Sequence, residues 1–306
     1  MALKPSMWRE DSYANRRMGI LLLSLAGLAF TTLDATVKWL VQLQTLPLLE
    51  LIWLRFFCHA LVSGVLLAPH YKLDLLRINN VKLQALRAVL LGLMTSCNFW
   101  SIQFLQLTET AAILFSSPLI VAVISHWWLK QPLRGGQWWA IVLGFIGVLI
   151  VVRPTSSVIH PAIFLMVLNA FLFSIFTLLT RHLAQNENPA AMQWYSAMGP
   201  VLLLAPWVLP NFVMPHNSVE WVLVFATGLW GAVGHYLWAR AHQYASSATL
   251  APFGYQQLIY MALWGWLLFG DIPPLAVLVG GSIIVLSGLY LLWEQRRVPI
   301  ALPPST

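Results

Sequence analysis

The sequence predicts an all-α integral membrane protein whose ten transmembrane helices form two inverted repeats of five. Three observations carry this. Of 306 residues, 59% are apolar and only 9% charged, with a mean hydropathy of +0.75, far from the balance of a soluble domain. Ten apolar segments fill the chain, and a hydrocarbon core about 30 Å thick takes about 20 helical residues per crossing. Sliding the chain on itself by about 140 residues lays the first five segments over the last five. An odd number of spans per repeat turns the second copy upside down.

The expected spans are, in order, Met18–Val41, Leu48–Ala68, Gln84–Gln106, Ala111–Leu129, Gln137–Val152, Pro161–Leu183, Ala190–Leu209, Val219–Ala241, Ser246–Phe269 and Leu275–Trp293. They divide the chain into an N-terminal segment (1–17), a first repeat (18–153), a second repeat (160–294) and a C-terminal tail (295–306). The first span follows Arg16 and Arg17 but exceeds a signal-peptide core in length and carries Asp34 and Lys38, so it reads as a retained helix. Trp127 and Trp128 end the fourth span and Trp138 and Trp139 open the fifth, as in an aromatic belt at a membrane surface. Cys58 and Cys97 lie inside apolar spans and read as small buried hydrophobes.

Orientation follows from charge. With the N-terminus inside, the cytoplasmic segments collect Lys4, Arg9, Arg16, Arg17, Lys72, Arg77, Lys82, Lys130, Arg134, Arg181, Arg296 and Arg297, and the opposite loops hold only Arg153. The positive-inside rule therefore places both termini in the cytoplasm of a cytoplasmic (inner) membrane. The net charge of +7 marks orientation and contact with anionic lipid; no basic tract suits a nucleic acid.

The repeat is visible residue by residue. Thr31, Asp34 and Lys38 recur as Ser174, Thr177 and Arg181. Pro47 matches Pro189, Thr110-Ala111 matches Ser247-Ala248, and Gly147 matches Gly288. Inverted repeats of this kind build secondary transporters, whose substrates sit near mid-membrane.

Polar groups inside a bilayer are costly and usually functional. Asp34 and Lys38 stand four apart on one helical face with Thr31, and Glu50 and Arg55 lie at similar depth in the second span. These residues are candidates for an outer gate or for an ion-pair network that locks helices together. Ser174, Thr177 and Arg181 form the corresponding stripe near the opposite mouth. Nearer mid-membrane lie Thr95 and Asn98, Ser116 and Ser117 before Pro118, His235, and Tyr255, Gln256 and Gln257 after Pro252. Each proline frees a carbonyl one turn earlier, and freed backbone at that depth lines a cavity or is buried in protein. With Trp100 and Trp238 beside them, these groups suit a polar or zwitterionic molecule with a flat ring. The same residues would equally serve interhelical hydrogen bonds. His235 is the one histidine placed deep in a span near polar neighbours, a proton-relay candidate or a satisfied interior imidazole.

The segments PLIVAVISHWWLKQPLRGGQWWAIVLGFIGVLIVVRP and APFGYQQLIYMALWGWLLFGDIPPLAVLVGGSIIVLSGLYLL resemble the paired signature of the drug/metabolite transporter superfamily in its EamA-type branch. That signature is a proline-containing helix, a turn with an acidic residue, then a glycine-bearing helix. Gln131 stands where the first turn usually has an acid; Asp271 fills the second. DATVKWL, LELIWLRFF and ATLAPFGYQQL are further similar to S-adenosylmethionine and riboflavin uptake transporters. The resemblance implies a basket with helices three, four, eight and nine lining a central cavity, one and six facing it, and five and ten peripheral, where homodimer contacts form. Gly144, Gly147, Gly280, Gly281 and Gly288 suit close helix packing in lipid.

The expected function is secondary transport, by alternating access, of a small polar organic metabolite: an amino acid or related compound, or one like S-adenosylmethionine or riboflavin. The alternatives are a channel or a non-transporting helper subunit and, from another class, a membrane-embedded enzyme. The chain has no HExxH, no phosphate-cradling GKS/T loop and no GxSxG, so no catalytic residue, cofactor or metal is expected. The absence of a P-loop argues against direct ATP coupling.

Overall fold

A computed structural model describes residues 13–128, 130, 133, 135–152, 160–183, 186–245 and 247–296. The described residues fold into twelve α-helices that make ten spans: α1 (Tyr13–Leu43), α2 (Leu48–Tyr71), α3 (Val81–Ile102), α4 (Leu107–Leu114) with α5 (Ser117–Trp128), and α6 (Gly135–Val152) in the first half. The second half comprises α7 (Pro161–Leu183), α8 (Pro189–Val208), α9 (Ser218–Tyr244), α10 (Ser247–Gly254) with α11 (Gln256–Phe269), and α12 (Leu275–Arg296). Eight stretches among them are long and apolar enough to cross a membrane. The other two expected spans are weaker for identifiable reasons. Gln193 and its polar and proline neighbours dilute α8, and the interruption at Tyr255 leaves neither α10 nor α11 long enough alone.

Local chemistry sets the boundaries. The side chains of Asn80, Asn188 and Asn217 accept backbone N–H groups at the starts of α3, α8 and α9, the usual task of an N-cap. Half of a capping box opens α4: Glu109 Oε2 accepts the Gln106 backbone N–H at 3.0 Å. It starts the fourth span at Leu107, four residues before the hydropathy pattern does. The fourth span then breaks at Phe115-Ser116, ahead of Pro118, which has no N–H to continue the ladder. The ninth breaks at Tyr255, after Pro252.

Packing between the halves follows a two-fold exchange. α1 runs along α9 as α3 runs along α7; α2 packs on α9 as α3 packs on α8; α1 meets α11 as α5 meets α7. α2 pairs with α8, and α6 with α12, across the pseudo-axis itself. The last pair crosses at Gly147 and Gly280. A Cβ on Gly147 would stand 2.8 Å from the Gly280 carbonyl oxygen, so backbone meets backbone there without side chains between.

The exchange fails around the fourth and ninth spans, and α5 also meets α12 without a comparable contact between α11 and α6 among the described residues. At the end of the bundle away from the chain termini, α4 packs on α11 and α12. The matching helices at the termini end, α5 with α10 and α6 with α10, have no comparable packing among the described residues. The fourth and ninth spans are therefore closed together at one end and apart at the other. Trp127, Trp128 and Trp139 are largely exposed, as an aromatic belt requires.

Candidate functional site

Two polar assemblies separate in the bundle. The first lies at the closed end. Lys38 on α1 is 5% exposed; its Nζ donates to Asp271 Oδ2 at 2.9 Å and to the Leu105 carbonyl at 3.1 Å, and sits 4.9 Å from the Phe269 ring centre. Asp271 is placed by the end of α11. Gly270 takes φ +66°, where a side chain is strained. Its N–H then reaches the Trp266 carbonyl, the 5→1 bond of an αL cap, and that of Asp271 the Gly265 carbonyl, which turns Asp271 toward Lys38. The expectation of an Asp34–Lys38 stripe acting together is thereby divided: Lys38 pairs with the other half of the molecule.

The second assembly lies deeper. Asn98 Nδ2 donates to Asp34 Oδ1 at 2.9 Å, joining α3 to α1. Asp34 and Arg55 on α2 interact electrostatically, but without an ion pair. The Arg55 guanidinium lies 4.2 Å from the Phe56 ring centre and beside Gly231, where an added Cβ would stand 3.3 Å from its Nη2. One turn along α2, His59 stacks on His235 of α9 with ring centres 5.4 Å apart, and Phe30 meets His235 edge-on at 5.0 Å. His235 thus shares its depth with a second histidine, which corrects its expected isolation. Arg55 Nε and Nη1 and both His59 ring nitrogens are buried without a hydrogen-bond partner.

The remaining sequence candidates scatter. Glu50 does not meet Arg55; its carboxylate accepts the Val213 N–H before α9. Ser174 donates to the Ser117 carbonyl at 3.1 Å, tying α7 to the break in the fourth span. Thr31 and Thr177 bond within their own helices, and Ser116, in the break of the fourth span, bonds back to the Ile113 carbonyl of α4. Thr95 is buried on α3. Tyr255 packs on Phe115 and points its hydroxyl at Gly288. Gln256 accepts from Tyr260, and Gln257 lies against Gly27. Trp100 packs with Phe104 and His160 at the closed end, and Trp238 with His242 on an exposed face; neither reaches the deep cluster. The side chain of Arg181 and the whole of Gln131 lie outside the described residues.

Sequence reasoning missed three groups. His59 stands in an apolar run. Arg87 in α3 is buried and donates to Thr180 Oγ1 at 2.8 Å, to the Met192 carbonyl at 3.0 Å and to Ser196 Oγ, linking α3, α7 and α8. Glu187 accepts the backbone N–H groups of Asn79 and Asn80 at 2.7–3.1 Å, where a carboxylate favours the start of α3. For Arg87 the signal was available: a charge within a span is a functional or structural anchor by default.

The EamA-like transporter family model matches residues 17–153 and again 160–293. A riboflavin transporter of Vibrio cholerae is 27% identical, covering 91% of this chain and 94% of its own. The pseudopaline exporter CntI of Pseudomonas aeruginosa is 25% identical over 90% and 96%, and an S-adenosylmethionine uptake transporter of Rickettsia prowazekii is 22% identical over 81% and 84%. A solved crystal structure 16% identical to this chain superposes with a TM-score of 0.60, covering 93% of this chain and 97% of that one, a likeness of fold. Matched in both halves, this multi-pass membrane protein belongs to the EamA-like transporter family.

Proposed function

We propose that the protein is a secondary transporter that carries a small polar organic metabolite across the cytoplasmic membrane by alternating access, with both termini in the cytoplasm. The observation that carries this is the broken exchange symmetry. The fourth and ninth spans meet at one end and stand apart at the other, with a cluster of polar side chains at depth between helices of both halves. That arrangement is an inward-facing state, and exchanging the two contacts between halves generates the outward-facing one. Lys38 and Asp271 hold the outer side closed. The relatives are named for riboflavin, S-adenosylmethionine and pseudopaline, and include both uptake and export proteins.

The test is counterflow. Protein reconstituted in vesicles preloaded with unlabelled riboflavin, S-adenosylmethionine or an amino acid should accumulate the same labelled compound transiently, with saturation. Linear, unsaturated flux would indicate a channel, and no flux for any of them would remove this reading.

A further inference from the structure

We propose that Arg55 and His59 anchor a carboxylate of the transported molecule while Asp34 receives its ammonium group, so that the site selects a zwitterion. This rests on the carrier reading above and adds the recognition chemistry.

The starting point is hydrogen-bond satisfaction. Buried polar groups in folded proteins nearly always have partners, and within a bilayer the demand is stronger. Arg55 is 5% and His59 1% exposed, yet two guanidinium nitrogens and both imidazole nitrogens have no partner. The two side chains stand one helical turn apart on α2. A guanidinium offers up to five donors and a neutral imidazole one, which suits the two acceptor oxygens of a carboxylate. Glu50, the acid on the same helix, is turned away to the Val213 N–H.

Asp34 supplies the opposite pole. Asn98 fixes its Oδ1, and Lys38, the cation on its own face, is drawn to Asp271. No ion pair to Asp34 occurs among the described residues. Asp34, Asn98 and His235 are only half-buried although their contacts are with facing helices, so they border space inside the bundle. A lone anion there would be repelled by Asp34 and a lone cation by Arg55. A molecule carrying both charges meets both. Phe30 and His235 provide a ring-lined wall beside them.

Thermal midpoints of the full-length protein in detergent, measured with each of the common α-amino acids, test the assignment. Matched methyl esters and N-acetyl derivatives serve as one-charge probes. At least one amino acid should raise the midpoint, and both of its derivatives should bind at least about tenfold more weakly. Arg55→Gln should abolish the shift, and Asp34→Asn should remove the preference for the free amine over the N-acetyl form. Because Arg55→Gln also removes a buried charge from the fold, His59→Gln is the second variant: it should weaken the amino acid more than its ester. No shift with any amino acid, an ester that binds as well as its parent, or an unchanged preference in His59→Gln would overturn the proposal. Riboflavin counterflow that survives Arg55→Gln would overturn it and leave the carrier standing. Zwitterion binding without counterflow would do the reverse.

Discussion

Lys38 and Asp271, 233 positions apart, form an ion pair of 2.9 Å that ties the first span to the turn before the last. It joins the two repeats at the end where the fourth and ninth spans also meet. Breaking a buried pair by removing one partner costs about 3–5 kcal/mol; Asp271 retains 23% side-chain exposure, which lowers the expectation to about 2 kcal/mol.

Lys38→Met should therefore shift the balance between the two ends by roughly thirtyfold toward opening of the closed one. A cysteine at Thr95, with Cys58 and Cys97 replaced by Ala, would react faster with an impermeant maleimide added from that side. The exchange Lys38→Asp with Asp271→Lys should restore slow labelling. Fast labelling in the double variant would mean that packing, and not the charge pair, keeps this end shut.

Gly270 governs the same contact from the backbone. At φ +66° a side chain costs about 1 kcal/mol, and loss of the αL cap would displace Asp271. Gly270→Ala should reproduce part of the Lys38→Met labelling change, whereas Gly270→Asn, which tolerates the left-handed region better, should resemble the parent. Equal labelling for Ala and parent would show that the turn does not set the position of Asp271.

Much of this fold can be read from the sequence because membrane-spanning helices announce themselves through length and hydropathy, and the repeat through Pro47 and Pro189 or Thr31 and Ser174. The two weakest spans are those interrupted by polar or proline residues. Site residues are harder to read, because partners hundreds of positions apart leave no local mark. Asp34 and Lys38 share a face at i, i+4, which suggests a common task, yet tertiary structure sends one to Asn98 and the other to Asp271. Glu50 and Arg55 look like a pair by depth alone. His59 lies unannounced in an apolar stretch, and only the neighbouring α9 shows that it stacks on His235. Trp100 and Trp238 have the right chemistry and face elsewhere, since one-residue differences rotate a side chain about 100° around a helix.

Arg87 should be a stability residue. Its three bonds to Thr180, Met192 and Ser196 and its position 4.6 Å from the Phe176 ring centre hold α3, α7 and α8 together. Arg87→Met leaves those acceptors with fewer partners, at about 1–3 kcal/mol, and should lower the thermal midpoint by several degrees. Arg87→Lys should recover less than half, because an ammonium lacks the fork that reaches acceptors on two helices. A midpoint unchanged in Arg87→Met would show that this clamp is energetically idle.

The crossing of α6 and α12 makes the last prediction. Gly147 and Gly280 each present a bare backbone to the other, with a Cβ on Gly280 placed 2.5 Å from the Gly147 carbonyl oxygen and 2.7 Å from Val151 Cγ2. Carbonyl oxygens on helices move only with the helix, so the clash is relieved by separating the pair. Small-to-large changes in a packed interior cost about 1–3 kcal/mol, and association of helices in lipid depends on such close approach. Gly280→Val should lower the thermal midpoint more than Gly281→Val, because Gly281 meets only the Ala112 methyl at an ordinary 3.7 Å. The comparison controls for helix propensity, since both substitutions place the same β-branched residue one position apart in α12. Equal destabilisation by the two would mean that the glycines matter for the helix itself and that the α6–α12 crossing can widen at no cost.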